Sequence, residues 1–344
     1  MLSAEQIAQL RQWRHDLDKT SRWCILINAD PDSMASAMAL MRIIQGKVHS
    51  VEIARINNVT RPDNLAMIRY LRIPMRMWNP DKKNQYTHFA LLDSQPGHNK
   101  AFAGVPFSLL VDHHPMSEDP SQDSAFAEDA VCIVRPELGA TSTLMTRFLQ
   151  GLKITPSSRL ATALLTGIRT DTAAFGRSGT DEDFQAYRWL SKQADLTLLR
   201  RIQRSEYLMA WLPLFTRAFQ SLTECPQNGA MAWLGFVSSG DLLVAIADFF
   251  TKVHGLHWIA VSGIVAETVI VILRGDGSRD VGRLAQSCFD DVGEAGGHRN
   301  LARAEFPLSV AHQEGNLESF VRHRLFSRKL RPIRRTQETP RPSA

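Results

Sequence analysis

The stretch Phe107-Ser108-Leu109-Leu110-Val111-Asp112-His113-His114 decides how the rest of the chain is read. Its first half is an apolar run of strand length and reads as a buried β-strand. An acid and two imidazoles where such a strand exits suit a divalent cation. Successive residues leaving a strand point to opposite sides, so His113 and His114 are expected to do different jobs, one on the metal and one on the substrate. Alone, the pattern is equally that of a polar loop using Asp and His for turn chemistry. What tips it is the repetition of the same arrangement elsewhere.

Working outward, residues 23–28 are a second buried strand, followed by the loop Ala29-Asp30-Pro31-Asp32-Ser33 and a helix over 34–45 with Ser33 as its expected cap. A strand over 51–56 and a helix over 62–71 come next, and the strand at 89–92 runs into Asp93. A strand near 131–134 precedes helices over 139–150 and 156–170, the second ending in Gly167-Ile168-Arg169-Thr170-Asp171-Thr172. Strands alternating with helices predict a parallel α/β sheet with helices on both faces. In such sheets the carboxyl ends of the strands carry the site. Asp30, Asp32, Asp93 and 112–114 all fall at strand exits.

Residues 183–222 read as largely helical and suit a connector. Residues 230–310 alternate again, with helices over 242–252 and 279–290, two strands within 258–273, a glycine-rich turn and a last strand over 301–306. The expected organisation is a metal-binding domain (1–195), a helical connector (196–228), a smaller α/β substrate-binding domain (229–327) and a basic tail (328–344), with the active cleft between the two domains.

At 344 residues the chain is long enough for two cores. Its 44% hydrophobic and 22% charged content fits a globular protein rather than a disordered one. Cys24, Cys132, Cys225 and Cys288 show no CxxC spacing, which argues against a zinc knuckle or a disulfide framework. No apolar run reaches membrane-spanning length and the amphipathic N-terminus lacks a signal-peptide core, so a cytoplasmic protein with no membrane contact is expected. The net charge of +5 is local: from Arg322 onward eight Lys/Arg face one acid, which leaves −2 for the other 321 residues. Such a tail is ordinarily solvated, and weak, salt-sensitive RNA contact is its functional reading.

Asp30 and Asp32 are too close on a stiff loop to be independent acids, and together they invite a cation. With Asp93, His113 and Asp171 they offer four carboxylates and an imidazole, a donor set for Mn²⁺ or Mg²⁺ rather than a thiolate-type zinc. A carboxylate bridging two such ions is the usual way to build a phosphoryl-cleaving centre, in which the ions acidify a bridging water and neutralise charge on phosphorus. Farther along, Arg274 ends a strand, and Gly293-Glu294-Ala295-Gly296-Gly297-His298-Arg299 reads as a turn that a ligand can approach closely. Arg274, His298 and backbone amides there form a candidate phosphate clamp.

These motifs resemble the DHH phosphoesterase family, of the RecJ-like and oligoribonuclease/pAp-phosphatase kind. The resemblance rests on residues 28–36, on Leu92-Asp93-Ser94-Gln95-Pro96, on Asp112-His113-His114, on 167–172, and on Gly296-Gly297-His298, which is similar to the signature of the DHH-associated domain. It implies two Mn²⁺ ions, one held by Asp30 and Asp93, the other by Asp32, Asp93, His113 and Asp171, with Asp93 bridging. His114 would touch the scissile phosphate and Asp112 would orient a histidine from behind. Arg274, Gly296, Gly297 and His298 would hold the far end of a short nucleotide: nanoRNA, pAp or a cyclic or linear dinucleotide. A homodimer is compatible with this reading.

One position departs. Where the family's first motif often carries a histidine ligand, this chain has Asn28; anchored instead on Pro31-Asp32, the motif puts its second acid at Met34, which cannot hold a hard cation. The first metal site is therefore expected to be weak. The competing reading is a catalytically weakened, nucleotide-binding regulatory protein, and a third is a nucleic-acid module led by the tail. Asn28→His is expected to tighten binding of a second equivalent of Mn²⁺; calorimetry showing no change would contradict this.

Overall fold

The structure is a computed structural model describing residues 3–116, 125–176, 179–312 and 316–327. The basic tail, 328–344, lies outside the described residues. The chain divides into two compact units, Met1–Glu206 and Tyr207–Ala344.

Unit 1 is a mixed α/β body comprising α1 (Ala4–His15), β1 (Arg22–Ile27), α2 (Pro31–Ile44), β2 (Ser50–Arg55), α3 (Pro62–Leu71), β3 (Met75–Met77), β4 (His88–Leu92), β5 (Phe107–Asp112), β6 (Phe126–Val134), α4 (Thr141–Gly151), α5 (Ser158–Asp171), α6 (Asp181–Ser191) and α7 (Leu196–Gln203). Its six strands run in the order β3-β2-β1-β4-β5-β6 and every pairing is parallel. The order reverses direction between β1 and β4, and a crevice at the carboxyl ends opens at such a switch point.

The strands read as apolar runs because both faces are covered. Along β1, Trp23, Ile25 and Ile27 face a core shared with α2, α4, α5 and α7. Cys24 and Leu26 face the opposite core, closed by Phe102 and by the partly buried Trp78 and Tyr86. Helix α2 is largely enclosed and buries Asp32, Ser33, Met34 and Ser36 along with its apolar residues.

Two local expectations are corrected. The helix after β1 starts at Pro31, not Met34, and its cap is Asp30; Ser33 is the third helical residue and closes the capping box, its hydroxyl oxygen accepting the Asp30 amide. Proline at the first helical position explains the early start.

Unit 2 comprises α8 (Leu212–Gln220), β7 (Thr223–Cys225), β8 (Gly229–Phe236), α9 (Gly240–Phe250), β9 (Trp258–Val265), β10 (Thr268–Gly275), α10 (Val281–Phe289), β11 (Glu294–Gly297), β12 (Leu301–Pro307), α11 (Leu308–His312) and α12 (Leu317–Ser327). Its mixed sheet has the order β11-β12-β10-β9-β8-β7, with α8 and α9 on one face and α10 and α12 on the other. The second correction lies here: the glycine-rich segment read as a turn is mostly the edge strand β11, paired antiparallel with β12. Glycine weakens the strand signal in a sequence, but an edge strand tolerates it. Among the described residues no helix is long and apolar enough to cross a membrane.

Candidate metal centre

Four side chains from four elements meet at the switch point of the first sheet. Asp32 (α2), Asp93 (after β4), His113 (after β5) and Asp171 (end of α5) each present one ligand atom, all within 4.8 Å of one another. His114 forms a second such group with Asp93 and His113. His113 Nε2 is 3.0 Å from Asp171 Oδ2 and 3.5 Å from Asp93 Oδ1.

Each ligand is aimed by local structure. Asp32 is fully buried and sits in the first turn of α2, where its oxygens accept the first two amides of a second helix: Thr141 N and Ser142 N, both at 2.7 Å. Helix α4 lacks a side-chain cap of its own, since its cap residue is Ala140, so Asp32 serves as that cap from a distance. Asp93 leaves β4 with φ +57 and its amide donates to Val111 O at 2.9 Å. That left-handed turn swings the carboxylate toward Thr141, whose hydroxyl donates to it at 2.8 Å. Asp tolerates this conformation better than most residues. Gly167 on α5 lets the helices close in: a Cβ there would lie 2.3 Å from Ser142 Oγ and 2.9 Å from Asp32 Oδ1.

His113 Nδ1 lies 3.1 Å from Leu138 O, an acceptor only, so Nδ1 carries the hydrogen and Nε2 bears a lone pair. Nε2 is buried, makes no hydrogen bond and faces carboxylates. A lone pair turned toward anions is repulsive unless a cation or a proton stands between them.

The electrostatics say the same. Burial, and then the neighbouring charge of Asp171, pushes Asp32 up to about 7. Burial, followed by the charges of Asp32 and Asp30, holds Asp93 well above the usual carboxylate range. Asp30 is raised too, by burial first. Burial opposes charge on His113, but its contact with Asp171 and the charge of Asp32 outweigh it and raise it to about 9. Without a metal, protons take the cation's place. The orphaned imidazole nitrogen and the oxygen-rich donor set fit a hard divalent ion.

Asp30 belongs to neither ligand group. Its Oδ1 accepts Ser33 N at 2.8 Å, although its charge is felt by Asp32 and Asp93. Asn28 is exposed at the exit of β1, and Met34 is fully buried in the core.

Beside the cluster, Asp112 is fully buried and accepts His113 N and His114 Nδ1, both at 2.8 Å, and Gln95 Nε2 at 2.9 Å. Burial would raise it, but the hydrogen bonds from His114 and Gln95 win and hold it below the usual range. In return the Asp112 hydrogen bond raises His114. With Nδ1 committed to Asp112, His114 Nε2 is the nitrogen left to face a ligand, and the side chain is 45% exposed. Asp112→Asn is therefore expected to let the His114 titration fall toward its ordinary value; an unchanged midpoint by NMR would contradict this.

In unit 2, Arg274 closes β10 and donates from Nε to Asp248 Oδ1 at 2.7 Å. The register pairs Arg274 with Leu301, which puts it at the same end of the sheet as His298 in the β11–β12 turn. His298 is exposed. Gly297 has φ +145, and a Cβ there would lie 2.4 Å from Leu301 O, so the hairpin itself demands glycine. At Gly296 the nearest atom to a Cβ would be 3.7 Å away, so packing does not explain that glycine.

Reading side chains alone missed the segment that leads into and opens α4. Leu138 supplies a carbonyl, Thr141 and Ser142 supply amides, and Thr141 a hydroxyl. Backbone donors leave no mark on residue type; only the small polar run Thr141-Ser142-Thr143 hinted at a helix start. Gln95, two residues after Asp93, carries no metal-ligand signal in the sequence, yet its Nε2 donates to Asp112 and steadies it.

An all-parallel sheet with carboxylates and an imidazole converging at its switch point presents a candidate divalent-cation site. Residues 23–168 match the DHH family, N-terminal domain. It is 30% identical over 285 residues to the uncharacterized protein MJ1633 of Methanocaldococcus jannaschii, covering 83% of this chain and 57% of that protein. The chain thus spans little more than half the length of that relative. An exopolyphosphatase-related protein from Bacteroides fragilis shares the fold, with a TM-score of 0.69 at 18% identity over 94% of this chain and 97% of that one.

Proposed function

We propose that the chain is a divalent-metal-dependent phosphoesterase acting on short nucleotides: nanoRNA, pAp, or cyclic or linear dinucleotides. The observation that carries the reading is the convergence of Asp32, Asp93, His113 and Asp171, with a buried imidazole lone pair turned toward carboxylates. These four residues would hold the ion, Mn²⁺ or Mg²⁺ by donor type, and Asp30 stands close enough to add negative charge for a second, weaker one. When bound, such ions supply charge neutralisation at phosphorus and a more acidic water.

The chain's own groups do the rest. Asp112 fixes the His114 ring and favours its charged form, which leaves Nε2–H to donate to a phosphoryl oxygen. Asp93, buried and held by Thr141, keeps its place through the reaction without reorganising. In unit 2, Arg274, Gly296, Gly297 and His298 are the groups assigned to the far phosphate or nucleoside. Asp248 fixes the orientation of Arg274, and His298 is open to solvent.

The test is an assay of the purified protein with Mn²⁺ on pApA and on pAp. Release of AMP or phosphate that stops on adding EDTA is the expected result. Binding of pApA without turnover at saturating Mn²⁺ would overturn it in favour of the regulatory reading that Asn28 suggests.

A further inference from the structure

Asp183, the third residue of α6, is fully buried, yet it belongs to neither ligand group. Its Oδ2 accepts Gly139 N at 3.0 Å, Thr180 N at 2.8 Å and Thr180 Oγ1 at 2.7 Å, and its Oδ1 accepts the Thr143 hydroxyl. The bonds to Thr180 cap α6, as in many helices. Those to Gly139 and Thr143 do not: they grip, 40 and 44 residues away, the two ends of a short segment.

The segment is the one that aims the metal ligands. Between Gly139 and Thr143 lie the Thr141 amide and hydroxyl and the Ser142 amide, which hold Asp32 and Asp93, and Leu138 O beside Gly139 orients His113. Three of the four clustered ligands therefore lean on residues 138–142, and Asp183 holds that stretch through Gly139 at one end and Thr143 just beyond the other.

We propose that Asp183 is a positioning residue: by anchoring Gly139 and Thr143 it sets the orientation of Asp32, Asp93 and His113 toward the bound cation. The inference rests on the metal-site reading above. Its physical basis is that outer groups orient a ligand by hydrogen bonding, and losing one typically costs ~10–100-fold in metal affinity. A carboxylate suits the place because it accepts from several donors at once, whereas an amide presents one oxygen and turns N–H groups toward existing donors.

Thr143 separates anchoring from capping. Thr143→Val breaks the tie to α4 and leaves the Thr180–Asp183 cap intact, and Thr143→Ser keeps the tie. Asp195 is the control, since its carboxylate caps α7 through Thr197 N and Leu198 N, at 2.9 and 3.0 Å, rather than anchoring residues 138–142. The experiment is calorimetric titration of Mn²⁺ into the full chain and its variants, with folding checked by circular dichroism. Asp183→Asn is expected to weaken Mn²⁺ binding by ~10-fold or more and Thr143→Val several-fold, with Thr143→Ser and Asp195→Asn within twofold of the parent. If Asp183→Asn fails to fold, Thr143→Val decides alone. Parent-like affinity in folded Thr143→Val and Asp183→Asn overturns the proposal, whatever their melting temperatures. A parent chain that binds no Mn²⁺ contradicts the metal-site reading itself, a different outcome.

Discussion

Asp93→Asn is expected to lose hydrolysis by ~10³-fold or more while making the metal-free protein more stable by about 1 kcal/mol. The two effects share a cause. Asp93 belongs to both ligand groups, so removing its charge removes the carboxylate common to them. Yet in the absence of a cation that charge is buried against Asp32, Asp30 and Asp171, which is why it resists ionisation. Asparagine can still accept from the Thr141 hydroxyl and tolerates φ +57, so neither the hydrogen bond nor the turn is sacrificed. Activity with Mn²⁺ and urea unfolding in EDTA measure the two halves. Parent-like activity, or lower stability in EDTA, would contradict the account, since either would mean that the carboxylates are not in electrostatic conflict awaiting a cation.

Metal-free protein is expected to lose stability as pH rises from about 4 to about 9, and Mn²⁺ to reverse the trend. Asp32 is raised from 3.8 to about 7, so between those values the folded state holds a proton that the unfolded state has released, and stability falls as pH rises through that window. His113 is raised from 6.5 to about 9; its contribution is present below 6.5 and is lost as pH climbs through 9. Asp93 acts in the same sense as Asp32. Asp112, depressed, contributes in the opposite sense, but its contribution is lost only below the usual carboxylate range, outside this window. In EDTA the melting temperature should drop by roughly 5–10 °C from pH 5 to pH 9. Metal ligation requires the deprotonated groups, so the Mn²⁺-induced rise should be largest at the alkaline end. A melting temperature in EDTA that increases over this range would contradict the electrostatic picture.

The sequence spoke most clearly where a single element carried the signal. Apolar runs of strand length mark β1, β4 and β5, and their polar exits place Asp32, Asp93 and His113 at the carboxyl end of a parallel sheet. The three-residue β3 is too short to show a period, and β11 is hidden by Gly296 and by Gly297, the second of which is required by the close approach of Leu301 O. Asp30 shows the limit of reading charge alone: an acid before proline serves a helix cap as readily as a cation, and the Ser33 amide claims it. Asp183 shows another limit. The Thr180–Asp183 spacing is that of a capping box, but its bonds to Gly139 and Thr143 exist only once α4 and α6 have packed together.

The most direct measurement is the anomalous difference map of a crystal grown with Mn²⁺. A peak bonded to Asp32, Asp93, Asp171 and His113 Nε2, with His113 Nδ1 still on Leu138 O, is the result expected. A map with no peak among these residues at saturating Mn²⁺, or with the ion held elsewhere on the chain, would contradict the claim that this cluster is a cation site.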